Sequence, residues 1–94
     1  MKHNYIRAAE MMGRPSFRDV MDEVVELYED KSLEELSDVI HSACRFVGIP
    51  DNVIWYLARP TAMKHARRYE ERGCPRSARN CFAMGEACCC RREK

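Results

Sequence analysis

Ninety-four residues make one small domain, and a domain of this size buries a smaller share of its surface than a larger one does. Hydrophobic residues at 46% and charged residues at 33% are typical of a globular protein, and no apolar run approaches the roughly 20 residues that cross a bilayer. The net charge of +1 lacks the basic footprint of a dedicated nucleic-acid binder. We therefore expect neither a membrane nor a nucleic acid as a partner.

The start of the chain, MKHNYIRAAEMMGR, lacks the apolar core and the cleavage site of a secretory signal. This predicts a cytoplasmic protein, whose six cysteines are reduced or bind metal rather than form disulfides. Charge is unevenly distributed along the chain. Residues 1–50 carry six Lys and Arg against ten Asp and Glu, whereas residues 51–94 carry ten against five. The two halves can simply attract each other, or they can bind a cation and a polyanion respectively.

Helical periodicity runs through the chain and predicts an all-α fold. A first helix is expected over about residues 4–12, ended by Gly13 and Pro15. Ser16 is expected to cap a second helix that ends near Asp30. The apolar stripe of this second helix follows the i, i+3, i+4, i+7 pattern and comprises Phe17, Val20, Met21, Val24, Val25 and Tyr28.

A third helix is expected after a very short turn. Ser32 and Glu35 predict a capping box, in which the hydroxyl accepts from the N3 amide and the carboxylate from the cap amide. Gly48 ends this helix. Its apolar stripe comprises Leu33, Leu36, Val39, Ile40, Ala43, Cys44 and Val47. Asp51 is expected to cap a fourth segment, which Pro60 interrupts or restarts before the helix continues to Gly73.

Acidic side chains face one another across the turn between the second and third helices. The short connection predicts an antiparallel hairpin with its midpoint between residues 30 and 31. Glu26 and Glu35 are equally far from this midpoint, and so are Glu23 and Asp38. Four such carboxylates can converge on a hard cation such as Mg²⁺ or Mn²⁺. The alternative is a solvated face, because these acids lie away from the apolar stripes.

Two stretches of the sequence carry a family resemblance. Residues 22–26, DEVVE, followed by residues 35–38, ELSD, resemble the metal-binding signature of the MazG-like all-α nucleotide pyrophosphohydrolases. Residues 64–69, KHARRY, are similar to the K-N-x-x-R-Y motif of the same family, with His65 in place of Asn. The resemblance implies a MazG-like domain over residues 1–85.

The activity implied by this resemblance is Mg²⁺-dependent (or Mn²⁺-dependent) cleavage of an NTP or dNTP to the monophosphate and pyrophosphate. The resemblance also implies helical subunits assembled as a homodimer or homotetramer. Val39, Phe46 and Trp55 are expected to need cover from a partner. The implied metal-binding and catalytic residues are Glu23, Glu26, Glu35 and Asp38, and those implied to bind the nucleotide substrate are Lys64, Arg67, Arg68 and Tyr69.

The last residues, 86–94, form a Cys-rich basic tail. With the upstream thiols, the cysteines of this region are Cys74, Cys81, Cys88, Cys89 and Cys90. Their spacing lacks the C-x-x-C pairs typical of structural zinc sites, which argues against zinc and favours partly exposed thiols on a frayed tail. A second interpretation of the whole chain stays open, namely a non-catalytic helical module that binds a nucleotide or nucleic acid, with zinc held by these cysteines.

Overall fold

A computed structural model describes residues 4–92 and confirms the all-α prediction. In chain order the α-helices are α1 (Asn4–Met12), α2 (Phe17–Glu29), α3 (Leu33–Val47), α4 (Asp51–Leu57), α5 (Arg59–Arg72), α6 (Ala78–Met84) and α7 (Cys89–Arg92), with a 3-10 helix at Gly85–Ala87. No strand occurs among these residues. Within the same part of the chain, no helix combines the length and the hydrophobicity that a membrane span requires.

Serine residues begin both helices of the hairpin. Ser16 forms a full capping box, since its hydroxyl accepts from the Asp19 N–H (3.2 Å) and the Asp19 carboxylate accepts from the Ser16 N–H (2.9 Å). Ser32 accepts from the Glu35 N–H at 3.2 Å, but its own N–H donates to the Asp30 carbonyl oxygen at 2.7 Å. The predicted box at Ser32 is therefore only half formed.

The end of α3 follows the prediction, whereas the start of α4 does not. Gly48 ends α3 in the left-handed conformation (φ 91°), which glycine adopts without steric cost. Asp51 was expected to cap α4, but Pro50 precedes the helix as its N-cap residue and Asp51 is the first helical residue. The Asp51 carboxylate instead accepts from Arg45 at 2.9 Å and so ties α4 to the last turn of α3.

The chain divides into two compact units. Residues 14–63 form the hairpin unit, which contains α2, α3 and α4. Residues up to 13 and from 64 onward form the cysteine unit, which contains α1, α6, α7 and the 3-10 helix. Helix α5 begins in the hairpin unit and ends in the cysteine unit. The boundary predicted at residue 85 is a different division and stays a prediction.

In the hairpin unit, the apolar stripe of α2 is mostly exposed. Val20 is buried, but the other stripe residues keep 37% to 78% of their surface exposed, namely Phe17, Met21, Val24, Val25 and Tyr28. An amphipathic helix usually turns such a stripe towards the core. The side of α2 that packs on α3 carries Val20, Glu23 and Leu27, which are all buried or partly buried. The hairpin thus turns an acid inward and apolar side chains outward.

The three residues predicted to need cover are partly buried within their own unit. The ring of Phe46 lies 5.9 Å from that of Phe17, and the guanidinium of Arg14 lies 5.9 Å from the centre of the Phe46 ring. The Arg59 guanidinium lies 4.7 Å from the Trp55 ring. The more exposed apolar side chains of the hairpin unit are those of the α2 stripe other than Val20, together with Leu33, Leu36, Val47, Val53, Tyr56, Leu57 and Met63. Cover of Val39, Phe46 and Trp55 by a partner stays a prediction.

The core of the cysteine unit consists mainly of one tyrosine, small side chains and sulfur. Tyr5, Ala8 and Ala9 of α1 are fully buried. Cys88 and Cys89 are buried as well, at 0% and 3% exposure. The expectation of exposed thiols on a frayed tail is therefore wrong for these two residues, because the chain folds back and packs them against earlier residues of the same unit.

Candidate functional site

Three carboxylates of the hairpin unit converge and form what we call the acidic cluster: Glu23 of α2 with Glu35 and Asp38 of α3. One oxygen from each lies within 4.8 Å of one oxygen from each of the other two. All three side chains are partly buried. The cluster therefore lies on the inner side of the hairpin rather than on a fully solvated face.

Local sequence explains why these acids turn inward. Glu23 is flanked on α2 by Val20 and Leu27, so the apolar neighbours that pack on α3 carry the acid with them. Across the hairpin, Glu35 and Asp38 are i, i+3 neighbours on one face of α3. The short turn after α2 then brings the two helices together at the level of these residues, as the sequence symmetry predicts.

Thr61, in the first turn of α5, holds one member of the cluster in place. Its hydroxyl donates to Asp38 Oδ1 at 2.6 Å and lies 2.8 Å from Ser37 Oγ, which also accepts from the Thr61 N–H at 3.2 Å. Thr61 and Ser37 are both buried, at 3% and 6% exposure. This buried hydroxyl pair orients the carboxylate. Sequence reasoning missed it, because a lone threonine next to Pro60 carries no local signal of such a contact.

The electrostatic state of Glu23 shows how closely the acids are packed. Burial, a hydrogen bond with Glu26 and the negative charges of Glu26, Asp38 and Glu35 raise the pKa of Glu23 from 4.5 to about 7. Glu23 Oε1 is buried and, among the described residues, has no hydrogen-bond partner. A buried carboxylate oxygen without a donor is costly unless a cation or a proton compensates it.

Glu26, the fourth predicted ligand, takes a different position. It is exposed, and it lies outside the group of three converging oxygens, although its side chain bonds to that of Glu23. Glu26 therefore adjoins the acidic cluster from the solvent side. This position suits a group that exchanges protons with water better than one enclosed around an ion.

The residues predicted to bind substrate belong to the cysteine unit. Lys64, Arg68 and Tyr69 are partly buried and Arg67 is exposed, all on α5. Tyr69 lines an open groove of about 520 Å³, and the other residues around this groove are Arg7, Glu10, Met11 and Gly73. His65 Nδ1 lies 2.9 Å from the Pro75 carbonyl oxygen, so this ring is engaged within its own unit.

The donor set of the acidic cluster fits a hard divalent cation. Carboxylate oxygens are the ligands that Mg²⁺ and Mn²⁺ prefer, and Mg²⁺ is commonly bound through a few carboxylates while it keeps waters and contacts substrate phosphates. Three converging carboxylates match that pattern. A cation would also compensate the buried Glu23 oxygen and the mutual repulsion that raises the Glu23 pKa.

A second cluster lies in the cysteine unit. The sulfurs of Cys74, Cys81, Cys88 and Cys90 all lie within 4.8 Å of one another, and we call this group the sulfur cluster. The sequence interpretation disfavoured zinc because the cysteines lack C-x-x-C spacing. Sequence spacing could not show this convergence, since it depends on how three short helical segments fold back on each other.

Comparison of the chain with models of protein families, with curated proteins and with solved structures finds no match. The resemblance to the MazG-like family therefore rests on the two motifs of residues 22–38 and 64–69. A function has to be argued from the geometry of the clusters and the chemistry of their side chains.

Proposed function

We propose that the protein is a divalent-cation-dependent nucleotide pyrophosphohydrolase, which cleaves an NTP or dNTP to the monophosphate and pyrophosphate. The observation that carries the proposal is the acidic cluster on the inner side of the hairpin. A hairpin that turns carboxylates inward and valines outward gives up ordinary burial, which is understandable if the carboxylates serve a ligand. The MazG-like motifs add the reaction class.

The four carboxylates have two tasks in this proposal. Glu23, Glu35 and Asp38 hold Mg²⁺ or Mn²⁺, and Thr61 orients Asp38 for that purpose. When bound, the cation supplies positive charge to the phosphate oxygens and to an attacking water. Glu26 lies on the solvent side of Glu23 and accepts the proton of that water. The water adds to the α-phosphorus, the bond to the bridging oxygen breaks, and pyrophosphate leaves.

The basic residues of α5 are proposed to bind the nucleotide. Arg67 and Arg68 suit phosphate oxygens because the guanidinium fork donates two parallel hydrogen bonds, whereas Lys64 contributes a point charge. Tyr69 offers an aromatic face to the sugar or the base, which is supported by its place in an open groove.

A homo-oligomer in the cytoplasm, either a dimer or a tetramer, is also proposed. The exposed stripe on α2 supports this assembly, because contiguous apolar surface on a small helical domain usually marks an interface. Pairing two hairpins through their outward faces would build a helical bundle and leave the acids of each hairpin on its inner side.

The decisive experiment is a product assay on the purified full chain. NTPs and dNTPs are incubated while Mg²⁺ is titrated from zero, without chelator, so that any other bound metal stays in place. Equal amounts of monophosphate and pyrophosphate that appear only with Mg²⁺ or Mn²⁺ would support the proposal. Release of orthophosphate instead, or no product at any cation concentration, would contradict it and favour a non-catalytic module.

A further inference from the structure

The sulfur cluster is a feature that the proposed hydrolysis does not use. Within it, Sγ–Sγ distances are 3.1 Å for Cys81–Cys88, 3.4 Å for Cys81–Cys90 and Cys88–Cys90, and 3.6 Å for Cys74–Cys88. All four cysteines are free. Four thiols within 4.8 Å of one another, drawn from three separate segments of the chain, bring together more sulfur than simple packing usually requires.

The four thiols come from three segments of the chain. Gly73 ends α5 in the left-handed conformation (φ 73°), and the chain then turns Cys74 into the interior. Cys81 comes from α6, Cys88 from the residue before α7, and Cys90 from α7 itself. Because helices of seven and four residues are too short to be stable alone, this segment needs something that ties its parts together.

The residues packed around these thiols do not supply an ordinary hydrophobic core. Cys74, Cys88 and Cys89 form the buried cluster, and the residues packed against it are Met11, Cys81 and Cys90. The largest apolar side chains of α6, Phe82 and Met84, point away and are 86% and 36% exposed. Small domains that lack a sufficient core are commonly stabilised by a metal or by disulfides.

The distances favour one ion at the centre of the four sulfurs. A tetrahedral zinc ion with Zn–S bonds of about 2.3 Å separates its ligands by about 3.8 Å. The separations of 3.1 to 3.6 Å are close to that value, whereas an iron–sulfur cluster of several irons holds its cysteines much further apart. Small outward rotations of the side chains complete the tetrahedron.

We propose that Cys74, Cys81, Cys88 and Cys90 bind one Zn²⁺ ion as four thiolates. Binding displaces the protons of the thiols that are still protonated, and no electron is transferred. Four thiolates fill the tetrahedral sphere, so the ion has no open position for substrate and acts as a structural staple for residues 74–90. This inference is independent of the hydrolase proposal, because its readouts need no nucleotide.

Cys89 provides an internal control for this assignment. It lies between two ligands in sequence and is buried, yet it does not belong to the four converging sulfurs. Burial raises its pKa, and Arg76 beside it partly offsets that effect. Cys44 of α3 offers a second control outside the cysteine unit.

The first experiment uses the full wild-type chain, purified without chelator. Elemental analysis is expected to find one zinc per chain, and replacement by Co²⁺ should give the charge-transfer and d–d absorption of tetrahedral thiolate coordination. Alkylation after chelation without reductant should modify all six cysteines. A chain that takes up neither metal while its thiols are reduced would overturn the proposal, as would thiols that react only after reduction and are therefore disulfides.

The second experiment compares Cys90→Ser with Cys89→Ser. We expect Cys90→Ser to weaken zinc affinity by at least about 100-fold, since loss of a ligand should exceed the 10–100-fold effect of losing a second-shell contact. Cys89→Ser and Cys44→Ser should keep one zinc per chain. If Cys90→Ser fails to fold, Co²⁺ spectra of the Cys89→Ser protein still decide the matter. Loss of tetrahedral thiolate absorption in that protein would overturn the assignment of ligands.

Discussion

Glu34 and Glu35 are adjacent in the first turn of α3, but only Glu35 belongs to the acidic cluster. Replacing Glu35 with Gln removes a ligand and also removes like-charge repulsion from the metal-free site. We expect Glu35→Gln to abolish pyrophosphate release and to leave the metal-free fold equally or more stable. Glu34→Gln should keep the activity, because Glu34 is exposed and outside the cluster.

The same pair of variants distinguishes a cation site from a solvated face by thermal unfolding. Mg²⁺ that binds the folded state should raise the melting temperature of wild type and of Glu34→Gln, but should raise that of Glu35→Gln much less. Melting shifts of equal size in all three proteins would rule out the acidic cluster as the cation site, whatever the activity assay shows.

The raised pKa of Glu23 makes the stability of the hairpin unit depend on pH. Its folded-state pKa of about 7 exceeds the unfolded value of 4.5, so between these values the folded, metal-free protein holds a proton that the unfolded chain has released. The contribution of Glu23 to the free energy of unfolding is therefore complete below about pH 4.5 and is lost as pH rises through about 7.

Mg²⁺ must displace the proton of Glu23 when it binds. The affinity of the protein for Mg²⁺ should therefore increase up to tenfold per pH unit below about pH 7 and level off above that pH. Calorimetric titration in two buffers of different ionisation enthalpy measures the proton released. Glu23→Gln should bind Mg²⁺ weakly and without this component of the pH dependence. An affinity that is flat through this range in wild type would show that Glu23 does not titrate on binding.

Thr61 is a positioning residue in the proposed site, since it contacts Asp38 rather than the substrate. Thr61→Val keeps the shape but removes the hydroxyl, and we expect Mg²⁺ affinity to fall about 10–100-fold, as for other second-shell losses. Thr61→Ser restores the donor and should stay within a few-fold of wild type. If Thr61→Val lowers only the melting temperature and leaves Mg²⁺ affinity unchanged, its role is purely structural.

At the scale of elements, most helix ends were predictable, with the start of α4 as an exception, and helix orientation was not. Ser16, Gly13, Gly48 and Gly73 act through their own backbone conformations and hydrogen bonds, so the sequence carries these signals locally. Which side of α2 faces α3 depends instead on packing between elements. An apolar stripe predicts that this face of the helix is buried. It does not show whether the face packs against the same chain or against another copy of it.

The exposed stripe on α2 makes oligomerisation testable at one position. Val25 lies mid-helix and is 51% exposed within its own chain, so Val25→Lys should leave the fold of a single chain intact. In an interface, the added charge should weaken association by at least about tenfold, or about 1.4 kcal/mol. Sedimentation at micromolar concentration compares it with Glu29→Lys, which adds a lysine at an exposed position off the stripe.

Wild type and Glu29→Lys should sediment as a dimer or tetramer, and Val25→Lys should shift towards the monomer. A wild-type chain that sediments as a monomer at all concentrations would contradict the proposed assembly. It would also leave the outward orientation of the α2 stripe without an explanation.

At the scale of the whole molecule, the sequence predicted the acidic cluster far better than the sulfur cluster. The acids lie on two long helices joined by a short turn, so their symmetry about residues 30 and 31 is enough to bring three of them together. The thiols lie on short elements without strong periodicity, and six-residue gaps between Cys74, Cys81 and Cys88 specify no geometry. Their convergence could be found only once the fold of the cysteine unit was known.

The two compact units predict two separate responses to metal ions in the full chain. Mg²⁺ added to the zinc-loaded protein should slow hydrogen exchange within residues 20–41, where the acidic cluster links α2 to α3. Removal of zinc should speed exchange in residues 74–92, because α6 and α7 are too short to persist without a staple. Hydrogen-exchange mass spectrometry follows both regions in one experiment, with Glu35→Gln and Cys90→Ser as matched controls. Each variant should lose only the response of its own region. The assignment of one metal to each unit would be contradicted if the Glu35→Gln protein lost protection in residues 74–92. It would also be contradicted if zinc removal left exchange in that region of wild type unchanged.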